Sequence, residues 1–288
     1  MRSNRIGIVG LGLIGGSLGL DLQNLGYEVY GLVNREETAS RAKERGLAQF
    51  ISTNPRILAD CSIIIFALPL PQLINPKQEI IDALPQHAVI TDVGSVKTPV
   101  VKTWSKIHPR FVGSHPMAGT INNGVEAGER HLFKGRPWIT TPEQNTDKDA
   151  LDVIHKLAIE LESNWITTDA KLHDQAVALI SHLPVFVSAA LMQAVRQEHN
   201  KDLVNLAEAI ASSGFADTTR VGCGNPDLGV AMASYNTSAV LDALQSYRSS
   251  IDQFEKIISS KAWILLQEEL KKNQLSRPSF LGHKNLSS

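Results

Sequence analysis

The sequence is short of cysteine, with only Cys61 and Cys223 in 288 residues. Two thiols cannot build a disulfide framework or a multi-cysteine metal site within one chain, and they fit a reducing, cytoplasmic setting. Long apolar runs are also missing. The most apolar short stretch, Ser62 to Leu70, falls far below the ~20 residues that cross a bilayer, so no transmembrane segment is expected. Met1 to Arg5 leads at once into an apolar strand, without the charged start, long apolar stretch and small-residue cleavage site of a secretory leader. The chain is expected to begin in its mature form. Neither charge is in excess: the formal net charge is −1, which offers nothing to nucleic acid or to an anionic membrane surface. There is no internal repeat or low-complexity tract.

What is present describes a globular chain, 43% hydrophobic and 20% charged. Its length exceeds one ordinary compact core, so two domains are expected. From Arg5 to about Ile166, short β-branched runs alternate with amphipathic stretches, the pattern of a doubly wound, mostly parallel α/β sheet. Strands are predicted at Ile6 to Val9, Glu28 to Val33, Ser62 to Leu68, Ala88 to Asp92, Arg110 to Gly113, Trp138 to Thr140 and Trp165 to Thr167. After Asp169 the β signals cease. Helices are predicted from Ala170 to His199, Asp202 to Ser212, around Asp227 to Ala233, Thr237 to Ser259 and Lys261 to Lys272. The first is apolar on nearly every face and contains Pro184, which predicts a kink near Ser181 and His182. The division is therefore residues 1–168 as an α/β domain, 169–275 as an all-α domain and 276–288 as a flexible tail, with a site in the cleft between the two domains.

Gly10, Gly12 and Gly15 form a GxGxxG sequence that follows a predicted strand and opens a predicted helix. The helix carries Ile14, Leu18, Leu22 and Leu25 at helical spacing and ends at Gly26, before a second strand. In that context the glycines read as a dinucleotide fingerprint. Gly10 permits the tight turn, Gly12 lets the backbone approach a pyrophosphate, Gly15 lets helix and strand pack closely, and the N-terminus of the helix at Leu13 and Ile14 favours the anion. The second strand ends at Asn34 and Arg35 rather than at a carboxylate. Arg35 can pair with a ribose 2′-phosphate, so NADP is predicted over NAD. The plainer reading makes Arg35 a solvated surface charge and gives the acidic role to Glu36.

Ligands of open α/β sheets lie beyond the carboxyl ends of the strands. Ser95 and Lys97 follow the fourth predicted strand, and Ser114 and His115 the fifth, each pair in a turn; Thr98 and Pro99 read as the N-cap and first residue of the next helix. With these segments in view, the sequence resembles the prephenate and arogenate dehydrogenases. The resemblance rests on GLGLIGGSL, TDVGSVK, GSHPMAGT, HDQAVALISHLP and SSGFADTTRVGCGNP, which together run from Ile6 to Pro226. It is greatest to the short, NADP-preferring arogenate dehydrogenases of cyanobacterial type, which lack fused mutase or regulatory domains.

That resemblance implies a Rossmann domain followed by a helical dimerisation domain, a homodimer, and oxidation of arogenate to tyrosine with loss of carbon dioxide. It also implies roles for residues. His115 accepts the proton of the ring hydroxyl, Ser95 supports both groups, Arg220 binds a substrate carboxylate, Asp217 orients Arg220, and His182 is a second histidine in the pocket. Each has a plainer reading: a loop cap for His115, a satisfied core residue for His182, a turn residue for Ser95, surface charges for Arg220 and Asp217. Cys223 reads as an inert small side chain. Prephenate, giving 4-hydroxyphenylpyruvate, is the nearest rival substrate. A β-hydroxyacid-type dehydrogenase and a non-catalytic NADP sensor are more distant rivals for the whole chain.

Overall fold

The computed structural model describes residues 4–120 and 122–281. Its main sheet has six parallel strands: β1 (Arg5–Val9), β2 (Glu28–Leu32), β3 (Phe50–Ser52), β4 (Ile63–Phe66), β5 (Val89–Asp92) and β6 (Phe111–Val112). Successive residues of a strand face opposite sides, so Ile63 and Ile65 enter one core cluster while Ile64 and Phe66 enter the other. Helices cover both faces, and the strands therefore read as unbroken apolar runs instead of alternating ones. Each fully buried side chain of this size contributes roughly 1.5–3 kcal/mol on leaving water.

The strand order is β3-β2-β1-β4-β5-β6. The chain winds outward from β1 through β2 and β3, then returns to β4 on the other side of β1. This reversal opens a crevice beyond the carboxyl ends of β1 and β4, the switch point at which such sheets bind ligands. β3 is an addition to the predicted strands. It has three residues at the sheet edge, and Phe50 is half exposed against the Tyr30 ring at 4.7 Å, too little for a periodic signal.

The expectation of a single sheet is corrected. β7 (Ser114–Pro116), β8 (Pro137–Thr140) and β9 (Asn164–Thr167) form a second, three-stranded sheet in which β7 is antiparallel to β8. Gly113 is the pivot between the sheets. A Cβ there would stand 2.8 Å from both Thr141 Oγ1 and Val101 Cγ2, so a side chain would block the passage from β6 into β7. His115 is consequently a strand residue paired with Ile139, and not the turn residue expected.

The long helix after Asp169 is Ala170–Val177, a π-helical turn at Ala178–His182, and Leu183–Arg196. The π turn meets the predicted kink, because Pro184 has no N–H to complete the regular ladder one turn back. By length and composition this 27-residue stretch, of mean hydropathy 1.7 in its apolar window, could cross a membrane, contrary to the sequence expectation of no such segment. In the fold its His173 and Asp174 are buried and hydrogen-bonded to neighbouring elements. Helices Lys201–Ile210 and Pro226–Tyr235 follow as expected, and Ser213–Thr219 was not predicted.

The structure falls into two compact units, residues up to Ala239 and residues from Val240 on. The second holds most of the helix Thr237–Ser259 and the helix Trp263–Phe280. The latter continues past Lys272 into the stretch expected to be a flexible tail; residues 282–288 of that tail lie outside the described residues.

Candidate active site

The glycine loop has the geometry its sequence demands. Gly10 has φ +94°, and a Cβ on it would stand 2.5 Å from the carbonyl oxygen of Ala67, just after β4. A Cβ on Gly15 would fall 1.9 Å from Gly10 O. Gly12, by contrast, has nothing within 4 Å, so backbone borders open space at that point. It is also the N-cap of the helix Leu13–Asn24, and no side chain caps that end. The first N–H groups are therefore left for an anion, and the cradle fits a dinucleotide pyrophosphate. Asn34 and Arg35 are exposed after β2, and Arg35 has no ion pair among the described residues. Glu36 is engaged instead, its carboxylate accepting from the Thr53 hydroxyl.

Leu13, Ile14, Ala67, Val93 and Ala118 pack on one core cluster. The segments after β1, β4 and β5 leave the parallel sheet at its carboxyl end, and Ser114 of β7 is hydrogen-bonded to Asp92 there. Here the structure builds a polar network around His115, which is only 9% exposed. His115 Nδ1 lies 2.9 Å from His173 Nε2, and His173 Nδ1 lies 2.8 Å from Asp174 Oδ1. His115 Nε2 makes no hydrogen bond within the described residues. Burial foremost, then the neighbouring His173, Lys97 and His182, hold the His115 pKa well below the usual histidine range.

Asp174 is itself held by backbone. The Lys97 N–H donates to Oδ1 at 2.7 Å and the Thr98 N–H to Oδ2 at 2.8 Å. Burial alone would raise its pKa, but hydrogen bonds from His173, Lys97 and Thr98 outweigh that and keep the carboxyl below its ordinary value. The same contacts correct the predicted cap. Helix Thr98–Ile107 has Lys97 at its N-cap position with no capping side chain of its own, and Asp174 supplies the oxygens from another helix.

Lys97 is fully buried and forms an ion pair with the fully buried Asp92 at the end of β5. Its ammonium also donates to Ser114 O at 2.6 Å, while Asp92 Oδ1 accepts from Ser114 N at 3.1 Å. The residue before His115 is thereby clamped through both its backbone groups. Burial lowers the Lys97 pKa, opposed by Asp92 and Asp174.

The sequence-predicted residues divide into two groups. His115 and His182 are drawn into the buried network: Asn236 Nδ2 donates to Asp174 O at 2.7 Å and stands 3.3 Å from His182 Nδ1. An acceptor role at Nδ1 puts the His182 hydrogen on Nε2, which is buried without a partner among the described residues. Ser95 is half-buried and makes no hydrogen bond to His115 among the described residues. Arg220 and Asp217 make no hydrogen bond or ion pair to the network among the described residues. Both are exposed where the helix Ser213–Thr219 gives way to a 3₁₀ turn, and no ion pair joins them. Sequence reading passed over Asp92, His173, Asp174 and Asn236. The His-Asp pair at the start of an apolar helix was the available signal, since charged groups there need a partner.

Comparison with known proteins identifies the family. Residues 18–167 match the family model described as "Prephenate dehydrogenase, nucleotide-binding domain", and residues 169–272 match "Prephenate dehydrogenase, dimerization domain". Prephenate dehydrogenase of Bacillus subtilis is 30% identical over 88% of this chain and 70% of its own length. The crystal structure of Synechocystis arogenate dehydrogenase is 40% identical, covering 96% of this chain and 100% of that one, with a TM-score of 0.83. Prephenate dehydrogenase from Aquifex aeolicus, in complex with hydroxyphenyl propionate and NAD+, is 28% identical over 97% and 99% of the two chains, with a TM-score of 0.90. With a nucleotide-binding sheet domain, a helical C-terminal part and a buried histidine centre at the sheet's carboxyl end, the chain belongs to the prephenate dehydrogenase family.

Proposed function

We propose that the protein oxidises L-arogenate to L-tyrosine with NADP, in the cytoplasm and as a homodimer. The observation that carries this reading is the buried His115 imidazole at the carboxyl end of the sheet, its Nε2 without a hydrogen bond among the described residues. A neutral imidazole there accepts the proton of the C4 hydroxyl while that carbon gives up hydride. The dinucleotide, when bound, supplies the hydride acceptor. Loss of the ring carboxylate as carbon dioxide then restores aromaticity, so the protein's work is to orient the substrate, take one proton and hold anionic groups.

In this reading Ser95, which is free of intrachain bonds to His115, meets the same hydroxyl. His182 presents its Nε2–H to a substrate oxygen. Arg220 binds a carboxylate through its planar fork, with Asp217 beside it. Gly10, Gly12, Leu13, Ile14 and Gly15 hold the pyrophosphate, and Asn34 with the exposed Arg35 receives the 2′-phosphate. Among the described residues, apart from Leu25, Phe50, Ile159 and Ile166, the exposed large hydrophobic residues all lie after Asp169. Such surface supports a helical dimerisation domain, which we place at residues 169–275 behind a nucleotide domain of residues 1–168.

Prephenate with NAD is the second reading, favoured by the Bacillus and Aquifex relatives. Initial rates of NADPH or NADH formation with arogenate and with prephenate, each with NADP and NAD, test the choice. A higher kcat/KM for arogenate with NADP is expected; a preference for prephenate would move the assignment to the second reading.

A further inference from the structure

The chain from Asp174 through His173 to His115 carries information about where protons sit. Asp174 is an acceptor, and its two oxygens already take backbone N–H groups from Lys97 and Thr98. Its contact to His173 Nδ1 at 2.8 Å therefore requires the hydrogen on that nitrogen. A neutral His173 then has a lone pair at Nε2. The 2.9 Å contact between this atom and His115 Nδ1 needs one hydrogen, which must come from His115. We infer that Asp174 and His173 are positioning residues that hold His115 as its Nδ1–H tautomer, so that Nε2 is its only basic nitrogen.

The inference rests on the reading of His115 as the proton acceptor and goes one step behind it. In water, neutral histidine exchanges between two tautomers, and one of them would put a hydrogen where the substrate hydroxyl must donate. The relay removes that form. Its anchoring is unusually firm, because the oxygens that end it also cap the helix Thr98–Ile107, and Asn236 ties the backbone of Asp174. The opposite polarity would need a doubly protonated His173. That adds a buried cation to a pocket that already holds the Lys97 ammonium, beside a carboxylate whose lone pairs are shared with two other donors.

The test reads tautomers directly. The full-length protein is labelled with 15N-histidine, and long-range proton–nitrogen correlations are recorded at neutral pH, His115 being assigned by its loss in His115→Asn. The expected result is a protonated Nδ1 and a bare Nε2 on His115 in the parent. In His173→Leu, which removes the acceptor, the His115 signals move toward a mixture of tautomers, and kcat falls roughly 10- to 100-fold with little change in the KM of the dinucleotide. A hydrogen on Nε2 of His115 in the parent overturns the inference. So does a tautomer that is the same in folded His173→Leu as in the parent, because a merely structural role would leave it unmoved. A parent that shows the expected tautomer yet oxidises neither arogenate nor prephenate would support the relay and overturn the proposed activity, which keeps the two claims separable.

Discussion

Asp174 caps a helix that begins 76 residues before it, its Oδ2 accepting from the Thr98 N–H at 2.8 Å. One carboxylate thus joins the first turn of the helix Thr98–Ile107 to the histidine network. Asp174→Ala removes the cap and leaves the buried Lys97 N–H unsatisfied. The expected cost is about 2–4 kcal/mol, read from urea midpoints at fixed protein concentration. Asp174→Asn retains one acceptor oxygen and should lose less. A loss under ~0.5 kcal/mol in the alanine variant would show that water caps the helix equally well.

Arg35 is exposed after β2 with no ion pair among the described residues, while Glu36 is engaged by Thr53. Arg35→Ala is expected to raise the KM for NADP about tenfold or more and to leave that for NAD nearly unchanged. Equal effects on both cofactors, or none on either, would remove Arg35 from the 2′-phosphate site.

His115→Asn should lower kcat by roughly 10²- to 10⁴-fold while dinucleotide binding persists. The acid limb of the parent profile follows from the direction of the histidine shift. The neutral imidazole is the working form. Burial foremost, then the neighbouring His173, Lys97 and His182, keeps it neutral well below pH 6.5. The fall of kcat/KM on acidification is therefore expected below pH 6.5, and a midpoint at or above that value would contradict the buried geometry.

His182 links pH to stability. Burial is the main cause of a pKa lowered from 6.5 to about 4, opposed by Asp174 and assisted by His173. The unfolded chain takes up this proton near pH 6.5 and the folded chain only near pH 4. Stability is therefore fully present above pH 6.5 and is lost as pH falls toward 4, by on the order of 3 kcal/mol from this group. Unfolding free energies at pH 7 and pH 4.5 should differ less in His182→Asn than in the parent by about that amount. An identical pH dependence would show that His182 is solvated in the folded protein.

Arg220 is exposed and without an ion pair among the described residues, which leaves its guanidinium available to a ligand carboxylate. Arg220→Gln should raise the substrate KM more than it lowers kcat, since a contact made equally to substrate and transition state affects binding first. An unchanged KM would place Arg220 outside the site. Asp217→Asn should have the smaller effect, because no ion pair joins the two side chains among the described residues.

Much of this protein is legible in one dimension. The parallel strands announce themselves as short apolar runs because both faces of the sheet are buried, and the glycine loop because φ +94° at Gly10 and the 1.9 Å approach at Gly15 admit nothing larger. The helix break before Pro184 follows from a missing N–H. His115 could be selected because a motif after a strand end carried it. These are local constraints, met by residues within a few positions of one another.

What the sequence alone determined, then, is the winding of the sheet, the position of the glycine cradle and the identity of the central histidine. What only the tertiary structure decided is the company that histidine keeps. Gly113 turns the chain into a second sheet, Lys97 and Asp92 clamp the backbone of Ser114, and Asp174 arrives from a later helix to cap an earlier one. Hydrogen bonds and ion pairs are short-ranged and indifferent to separation along the chain, whereas sequence periodicity records only neighbours. A carboxylate whose backbone partners lie 76 and 77 residues away leaves no periodic trace.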